Sequence, residues 1–423
     1  HVAHSFMIRP RDVPVLVRTI GQPRRTRASV ENFRDARIRE IVAHAYQNVP
    51  FYRALYDAHG VDVAHILGYE DLPLLPIVTR EDLRNAKPED LVSTGTNISR
   101  LRINTTNGTT ASPLIVRRTL EETRIYQLYF FQAFRSFGVK RRDLSAEACF
   151  FSQKSPPPFK RGRRIADILR FYPRTKVEIS DMSAAADLLF ELKPAAIGGW
   201  PSQLSMLASV WASKGYGNAP GPRFMQTGGE RLDPSVRRQL EETFWAPVRD
   251  MYSSWELELI AWQCVSTGAY HVSDETVALE VMTEGRAARE GETGIAVGTA
   301  LHSFASPFIR YAQGDMITMG RAQCECGAPF GTIASIDGRT REYFAGPDGR
   351  LMGATRVAIE ITTAGGWVRQ SQVVRVGDSE RVIRIEPMRA PSAEELGRVR
   401  GALQNYLGTS FTFELKIVDR LTD

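Results

Sequence analysis

A cluster of threonines, one glycine and one asparagine separates two apolar runs in the first third of the chain. Residues 105–113 read TTNGTTASP, after LRIN and before LIV. Glycine lets the backbone approach a ligand closely, and threonine hydroxyls together with backbone amides can surround phosphate oxygens. The segment therefore predicts a phosphate-binding loop, although its spacing is not the GxxxxGK[ST] of a P-loop. A polar hairpin turn is the alternative, because Asn-Gly followed by small residues also favours a turn.

Three cysteines and a histidine form a second candidate site. Six residues lie between Cys264 and His271, and one residue lies between Cys324 and Cys326. Three thiolates and one imidazole make a complete tetrahedral set for structural zinc, with no open position for catalysis. The alternative is three buried, reduced cysteines and a surface histidine. The fourth cysteine, Cys149 in the apolar run EACFF, is predicted to be a core residue, and four cysteines do not make a disulfide framework.

Length and charge limit the kinds of protein to which these sites can belong. The chain has 423 residues, enough for two or more domains, and its 43% hydrophobic and 24% charged residues are ordinary for a globular protein. A net charge of +6 suits a polyanionic substrate such as a nucleotide or coenzyme A, whereas signatures of nucleic-acid binding are absent. No apolar run approaches a membrane span. We interpret HVAHSF before Met7 as an expression scar and expect a cytoplasmic protein.

Hydrophobic spacing predicts the elements that must hold these residues. The run NFRDARIREIVAHAYQNV has an apolar helical face containing Phe33, Ile38, Ile41, Val42 and Ala45 and stops before a proline. From about residue 100 to 320, short apolar strands alternate with amphipathic helices, which predicts an α/β sheet layered with helices and ligands at the strand ends. Beyond residue 338, turn residues followed by strand, helix and strand patterns predict a small α+β module after a hinge.

Several segments, in this order along nearly the whole chain, resemble the phenylacetate-CoA ligase branch of the adenylate-forming superfamily. These segments are HAYQNVPFYRALYDAHGVD, DLPLLPIVTREDLR, TTNGTTASP, IGGWPSQL, TGGERLDPSVRRQLEETF, VRDMYSSWE, PFIRYAQGDM and CECGAPFGTIASIDGR. The resemblance implies a large layered α/β domain over residues 1–338 and a small mobile α+β domain over 339–423 that is incomplete at its end. It also implies a two-step reaction in which ATP and a carboxylate form an acyl-adenylate, and coenzyme A then displaces AMP.

The resemblance assigns implied roles to residues across both domains. Glu256 would hold Mg²⁺, and Thr105 and Thr109 would contact the reacting phosphates. The implied nucleotide-binding residues are Thr106, Gly108, Thr110, Gly229, Glu230, Asp250, Tyr252, Asp315 and Arg339. Without the resemblance, Tyr252 is equally an ordinary core aromatic, Glu256 a solvated helix residue and Asp315 a turn cap. Some members of the branch have a similar cysteine and histidine pattern, which supports structural zinc at Cys264, His271, Cys324 and Cys326.

The chain also departs from the family pattern. Ser112 stands where a lysine is common, and Ser253 and Trp255 stand where glycine and threonine are usual around the metal glutamate. Arg341 and Glu342 replace an acidic pair at the hinge.

The family's C-terminal catalytic lysine has no counterpart in this sequence. Lys416 lies in the strand-like run FTFELKIV, where by alternation it could face solvent, and we do not assign the role to it. We expect either a further tail that carries the lysine or an enzyme without half of its adenylation machinery.

The acid itself is predicted only by its class. The resemblance implies that the helix over 121–137 and the segment after GGW help line the acid pocket. The aromatic residues of this helix favour an aryl or arylalkyl acid, although an aromatic stripe at helical spacing also indicates core packing. The substrate-pocket candidates are Tyr129, Phe130, Phe134, Trp200, Pro201 and Ser253.

Three functions remain open at this point. The first is an acid-CoA ligase acting on a small-molecule carboxylic acid. The second passes the acyl group to an amine or a carrier protein, and the third is a catalytically silent nucleotide-binding scaffold. A homodimer is a further possibility, and neither nucleic acid nor a membrane is an expected partner.

Overall fold

A computed structural model describes most of the chain, in segments separated by gaps. The described residues are 26–105, 114–140, 143, 145–149, 174–179, 181–218, 220–339, 343–345, 351–353, 357, 360–361, 364–365, 367–375, 381–408, 411–419 and 421. The chain separates into two compact units. The first comprises His1–Gln313 and Thr318–Ile336, and the second comprises Gly314–Ile317 and Asp337–Asp423.

Helices begin where the sequence supplies a cap. Thr79 and Asp82 form the predicted capping box, and Pro50 occupies the first turn of the second helix. The described α-helices are α1 (Arg27–Asn48), α2 (Pro50–Ala58), α3 (Arg80–Asn85), α4 (Leu120–Ser136), α5 (Met182–Leu192), α6 (Pro201–Ser213), α7 (Pro234–Phe244) and α8 (Ala393–Leu407). Among the described residues, no helix combines the length and apolar character that a membrane crossing requires.

Twenty strands are described, in four sheets. They are β1 (Val78–Thr79), β2 (Arg102–Thr105), β3 (Ile115–Arg118), β4 (Ser145–Cys149), β5 (Arg174–Glu178), β6 (Ala196–Gly199), β7 (Phe224–Gly228), β8 (Val248–Ser254), β9 (Glu258–Gln263), β10 (Tyr270–Val272), β11 (Val277–Thr283), β12 (Arg286–Ala287), β13 (Thr293–Ala300), β14 (Tyr311–Met319), β15 (Thr332–Arg339), β16 (Tyr343–Ala345), β17 (Leu351–Gly353), β18 (Val368–Arg375), β19 (Arg381–Pro387) and β20 (Phe413–Ile417).

The largest sheet has thirteen strands and two kinds of pairing. Its order is β12-β11-β13-β14-β15-β10-β9-β8-β7-β6-β4-β5, with β1 paired to β14. The run from β5 through β4, β6 and β7 to β8 is parallel, and β9 and β10 continue it antiparallel. The predicted α/β fold class is confirmed, because the parallel strands alternate with α5, α6 and α7 along the chain.

Alternate residues of the parallel strands enter two different cores. Ile197 and Met225 pack with α5, α6 and α7 in one cluster, whereas Ala196 and Phe224 pack with the end of α4 in another. Because successive side chains of a strand point to opposite faces, the two clusters lie on the two sides of the sheet. The parallel part of the sheet is therefore covered by helices on both faces, which explains why β6, AIGG, carries no polar side chain on either face.

Helix α1 packs through one apolar face, close to the predicted one. Thr26 caps its first turn by accepting a hydrogen bond from Ser29 N. The buried residues are Val30, Arg34, Ile38, Ile41, Val42 and Ala45. Phe33, which we placed on this face, is half-buried at its edge, with its ring centroid 6.2 Å from that of His302.

The second unit has its own sheet and core. Strands β18 and β19 pair antiparallel, and β19 pairs parallel with β20. Helix α8 contributes Val399, Leu403 and Leu407 to a cluster that includes Trp367 and Ile385. The domain boundary at residues 338 and 339 stays a prediction.

Candidate functional site

Three neighbouring strands of the first unit end next to candidate residues. Trp200 follows β6, Gly229 and Glu230 follow β7, and Ser253 lies near the end of β8. Since β6, β7 and β8 run parallel, with Gly199 opposite Thr227 and Gly228 opposite Met251, these ends meet at one edge of the sheet. Ligands of α/β sheets bind at such carboxyl edges.

Gly229 allows a close approach by the indole of Trp200. Its φ is +81°, in the left-handed region, and a Cβ added there would lie 3.0 Å from Trp200 Nε1. Trp200 is 43% exposed, so a large part of this residue remains open to solvent at this edge. Glu230 accepts hydrogen bonds from Ser202 N and Ser202 Oγ, both at 3.0 Å, and thereby holds the first turn of α6 beside Trp200.

We expect Gly229→Ala to destabilise the protein by more than the strain of a left-handed alanine alone, which is about 1–2 kcal/mol. The added methyl group must also displace Trp200. The matched control is Gly60→Ala, because Gly60 has φ +63° and open space around its Cβ position. Urea unfolding should give a larger loss of unfolding free energy for Gly229→Ala, with a change in tryptophan emission. Equal losses would contradict the importance of the indole contact.

Asp250 and Tyr252, on β8, are both buried and hydrogen-bonded inside the protein. Asp250 accepts from Thr227 Oγ1 at 2.6 Å and from Tyr270 OH at 2.8 Å. Burial raises the pKa of Asp250 above its usual range, and these two hydrogen bonds oppose that increase. The side-chain amide of Gln313 donates to Tyr252 OH. Both oxygens of Asp250 thus have partners within the sheet, and the implied adenine contact of its carboxylate stays a prediction.

Glu256 lies in the turn between β8 and β9 and is 6% exposed. Its Oε1 accepts a hydrogen bond from Tyr311 OH at 3.1 Å. The turn follows a register shift between Tyr252 and Ser253 in the pairing of β8 with β9, and such bulges redirect side chains next to functional sites. Glu256 is therefore a buried carboxylate held by a phenol, and not the solvated helix residue that was the alternative.

In the second unit, Asp315 is paired with Arg339. Arg339 Nε lies 2.7 Å from Asp315 Oδ1, with the aspartate side chain 10% and the arginine 46% exposed. Two residues implied to contact the same nucleotide therefore form an ion pair. Lys416, to which we assigned no role, is half exposed and pairs with Glu414 at 3.0 Å.

The four zinc candidates are brought together in the first unit. The possible ligand atoms of Cys264, His271, Cys324 and Cys326 all lie within 4.8 Å of one another, and Cys326 Sγ is 3.3 Å from His271 Nε2. Tetrahedral zinc with Zn–S bonds near 2.3 Å separates its sulfur ligands by about 3.8 Å. The donor set and its spacing therefore fit a closed zinc site. The alternative of a surface histidine does not hold, because His271 is buried.

The pKa values of these groups favour a cation. Burial lowers the pKa of His271 to about 4, so its imidazole is neutral and can donate a lone pair. Burial acts to raise the pKa of Cys264, but hydrogen bonds from Thr267 and the adjacent backbone outweigh it and lower the pKa to about 7. Burial and the neighbouring thiol groups raise the pKa of Cys326 to about 11. One thiolate opposes formation of the next, and a bound cation would remove that repulsion.

The aromatic residues proposed for the acid pocket are mostly packed against protein. Tyr129 is buried and stacks on His302, with centroids 5.4 Å apart. Phe134 contacts Phe224, and Phe130 packs on the same core cluster. These contacts favour core packing as the reason for their helical spacing, and their role in the pocket stays a prediction. Of the other candidates, Pro201 is buried in the first turn of α6, Ser253 is half-buried and Trp200 is the most open.

The threonine-rich loop lies almost wholly outside the described residues. Thr106, Gly108, Thr109, Thr110 and Ser112 are not described, and Thr105 ends β2. Strands β2 and β3 on its two sides pair antiparallel, with Thr105 opposite Ile115. Arg341 and Glu342 also lie outside the described residues.

Sequence reasoning missed the groups that support the candidate residues. Arg118, at the end of β3, donates to the carbonyl oxygens of Trp255 and Glu256. Tyr311 donates to Glu256, and Gln313 donates to Tyr252. Both donors lie in RYAQGD, where the sequence indicated a role only for the aspartate. The available signal for Arg118 was an arginine pair closing an otherwise apolar strand, LIVRR.

Comparisons with known proteins give consistent similarities. No family model matches the chain. Phenylacetate-coenzyme A ligase of Thermus thermophilus is 24% identical over 322 residues, which cover 74% of this chain and 71% of the relative. Phenylacetate-coenzyme A ligase of Escherichia coli is 25% identical over 294 residues, which cover 66% of this chain and 65% of the relative.

A solved structure extends the similarity to the fold. The structure of 2-hydroxyisobutyryl-CoA ligase in the postadenylation state, in complex with 2-HIB-AMP, has a TM-score of 0.76 at 20% identity. The superposition covers 93% of this chain and 86% of that one. The chain therefore has the fold of the adenylate-forming CoA ligases.

Proposed function

We propose that this chain, which is similar to phenylacetate-coenzyme A ligases, activates a carboxylic acid with ATP and transfers the acyl group to coenzyme A. In the first step, a carboxylate oxygen attacks the α-phosphorus of ATP and pyrophosphate leaves. In the second, the coenzyme A sulfur attacks the acyl carbon, AMP leaves and the thiol proton passes to solvent. The proposed acid is an aryl or arylalkyl acid.

One observation carries the proposal. The ends of β6, β7 and β8 bring Trp200, Gly229 and Ser253 to one edge of a sheet whose fold is that of the adenylate-forming CoA ligases. A tryptophan that is partly open to solvent at that edge suits a flat acid or a purine, because aromatic rings stack on either. The first step joins two anions, so the site must also supply donors and positive charge.

Further residues fit parts of this chemistry. Glu256 is a buried oxygen ligand of the kind that Mg²⁺ accepts, and bound Mg²⁺ would neutralise charge on the phosphates. Tyr311 holds the Glu256 carboxylate in place. We assign Asp315 to the ribose hydroxyls and Arg339 to the nucleotide. We further propose that the small C-terminal unit moves between the two half-reactions, as catalytic steps in two-domain enzymes often require.

We also propose one structural zinc ion per chain, at Cys264, His271, Cys324 and Cys326. The fit of the donor set and the mutual spacing of the ligand atoms support this assignment. Four protein ligands leave no coordination position for substrate, so the ion would stabilise the fold and take no part in the reaction.

The proposed function is tested with a panel of carboxylic acids in a pyrophosphate-release assay. We expect ATP-dependent release with aryl or arylalkyl acids and a thioester product when coenzyme A is added, identified by its mass. Release without a thioester would instead indicate an amine or a carrier protein as acceptor. No release with any acid, from protein that is folded and metal-replete, would refute the proposal.

A further inference from the structure

Arg118 is a buried arginine with every guanidinium nitrogen engaged. Its side chain is 1% exposed. Nε donates to Ser303 Oγ at 3.2 Å and Nη2 donates to the carbonyl oxygen of Glu256 at 2.7 Å. Nη1 donates to the carbonyl oxygen of Trp255 at 2.7 Å and to Glu258 Oε1 at 2.9 Å. A charged group is buried at such a position only when it is fully hydrogen-bonded.

These contacts fix the backbone of the turn that carries Glu256. Two consecutive carbonyl groups accept from the two terminal nitrogens of a planar fork, so both peptide planes are restrained together. Glu258, just after the turn, has φ +61°, which is uncommon for a residue other than glycine. The Glu256 carboxylate accepts from Tyr311 OH, whereas Arg118 donates to the backbone carbonyl of the same residue, so one contact holds the side chain and the other holds the backbone.

The position of Arg118 links two distant segments. It is the last residue of β3, the strand that follows the threonine-rich segment, and its carbonyl partners lie 137 and 138 residues later. Arg118 thereby connects β3, which follows the predicted phosphate-binding loop, to the turn that carries Glu256, the predicted metal ligand. A second contact connects the start of α4 to residues 302–306. Oε1 of Glu122 accepts hydrogen bonds from Phe304 N and Ala305 N.

We propose that Arg118 is a positioning residue that orients Glu256 toward the cation of the bound metal–nucleotide complex. The inference rests on the proposed function, in which Glu256 holds Mg²⁺. Arg118 touches neither metal nor nucleotide in this role. It acts through the Trp255 and Glu256 carbonyls, as partners behind a metal ligand commonly do.

The test measures binding rather than turnover. Mn²⁺ in complex with a non-hydrolysable ATP analogue is titrated against the protein and followed by electron paramagnetic resonance. We expect Arg118→Lys to weaken binding about 10- to 100-fold, the usual cost of losing a partner behind a metal ligand. Lysine keeps the charge but cannot reproduce the fork. Amide hydrogen exchange in residues 255–258 should accelerate in the same variant.

A double-mutant cycle separates positioning from general stability. If Arg118 acts through Glu256, Arg118→Lys should have little further effect on Mn²⁺ affinity in a Glu256→Gln background. The matched control is Arg27→Lys, because Arg27 pairs with buried Asp274 at 2.6 Å and lies outside the proposed site. That variant should lose thermal stability and keep the Mn²⁺ affinity of the parent.

Two results would overturn the inference. One is a folded Arg118→Lys protein with parental Mn²⁺–nucleotide affinity, and the other is an additive cycle with Glu256→Gln. If Arg118→Lys does not fold, Ser303→Ala removes the acceptor of Arg118 Nε, together with the hydrogen-bond partner of Tyr126 OH, and should weaken binding several-fold. Parental affinity in that variant would also contradict the inference. A parent that binds Mn²⁺–nucleotide but adenylates no acid refutes the proposed function alone.

Discussion

Asp315→Ala is expected to lower acid-dependent ATP–pyrophosphate exchange by about 100-fold or more. A carboxylate that accepts from both ribose hydroxyls makes two charge-assisted hydrogen bonds of about 1.5–3 kcal/mol each, and about 1.4 kcal/mol corresponds to a factor of ten. The substitution also leaves Arg339, now 2.7 Å from Asp315 Oδ1, without this partner. Exchange measured at saturating acid over a range of ATP concentrations checks the prediction.

The chain offers a closely matched control in Asp143→Ala. Asp143 pairs with Arg223 at 2.7 Å, and the arginine is 46% exposed in both pairs. Each pair joins a mostly buried aspartate to a half-exposed arginine that solvent screens, so the two variants should change the melting temperature to a similar and modest extent. Asp143→Ala should retain parental exchange. Parental exchange in folded Asp315→Ala would remove the ribose assignment.

Loss of the proposed zinc is expected to have the second large effect. Elemental analysis of protein purified without chelator should give one zinc per chain. Cys264→Ser or prolonged chelation should then cost several kcal/mol and lower the melting temperature by on the order of 10 °C, since a closed zinc site contributes folding free energy. Losing one ligand should destabilise the protein nearly as much as removing the metal, because three ligands no longer close the site.

Cys149→Ser is the matched control for the zinc site. Cys149 is the fourth cysteine of the sequence and is not among the proposed ligands. It should leave one zinc per chain and change the melting temperature far less than Cys264→Ser. Protein that contains no metal, or a Cys264→Ser variant with a full complement of zinc, would exclude the site.

The parallel part of the fold was predictable because its signals are local. Pro201, Pro234 and Asp233 mark helix starts within a residue of where α6 and α7 begin. Pairing across the antiparallel part was not predictable, since β10 lies between β9 and β15, which are distant from each other in the chain. Strand neighbours of this kind depend on the whole sheet and not on local pattern.

The candidate site was predictable in its charged and ligating residues and much less in their supports. Cys264 and Cys326 carry a spacing and a chemistry that are visible in the sequence. Arg118 has only the weaker signal of an arginine pair at the end of LIVRR, because an arginine is usually exposed and its burial depends on carbonyl groups far along the chain. Tyr129 shows the opposite difficulty, since helical spacing of aromatics does not separate a ligand-binding face from a packed one.

The contacts of α1 have a consequence for synthesis on the ribosome. Arg27 pairs with Asp274, 247 residues later, and Arg37 donates to the Leu301 carbonyl, 264 residues later. At roughly 5–20 residues per second, the first helices wait about 12–50 s for these partners to be translated. During that interval α1 has neighbours from the segments that follow it, such as α2, but lacks the part of its native cover that β11 supplies. We therefore expect nascent chains halted before residue 274 to bind a holdase chaperone, and chains halted well beyond residue 310 to release it.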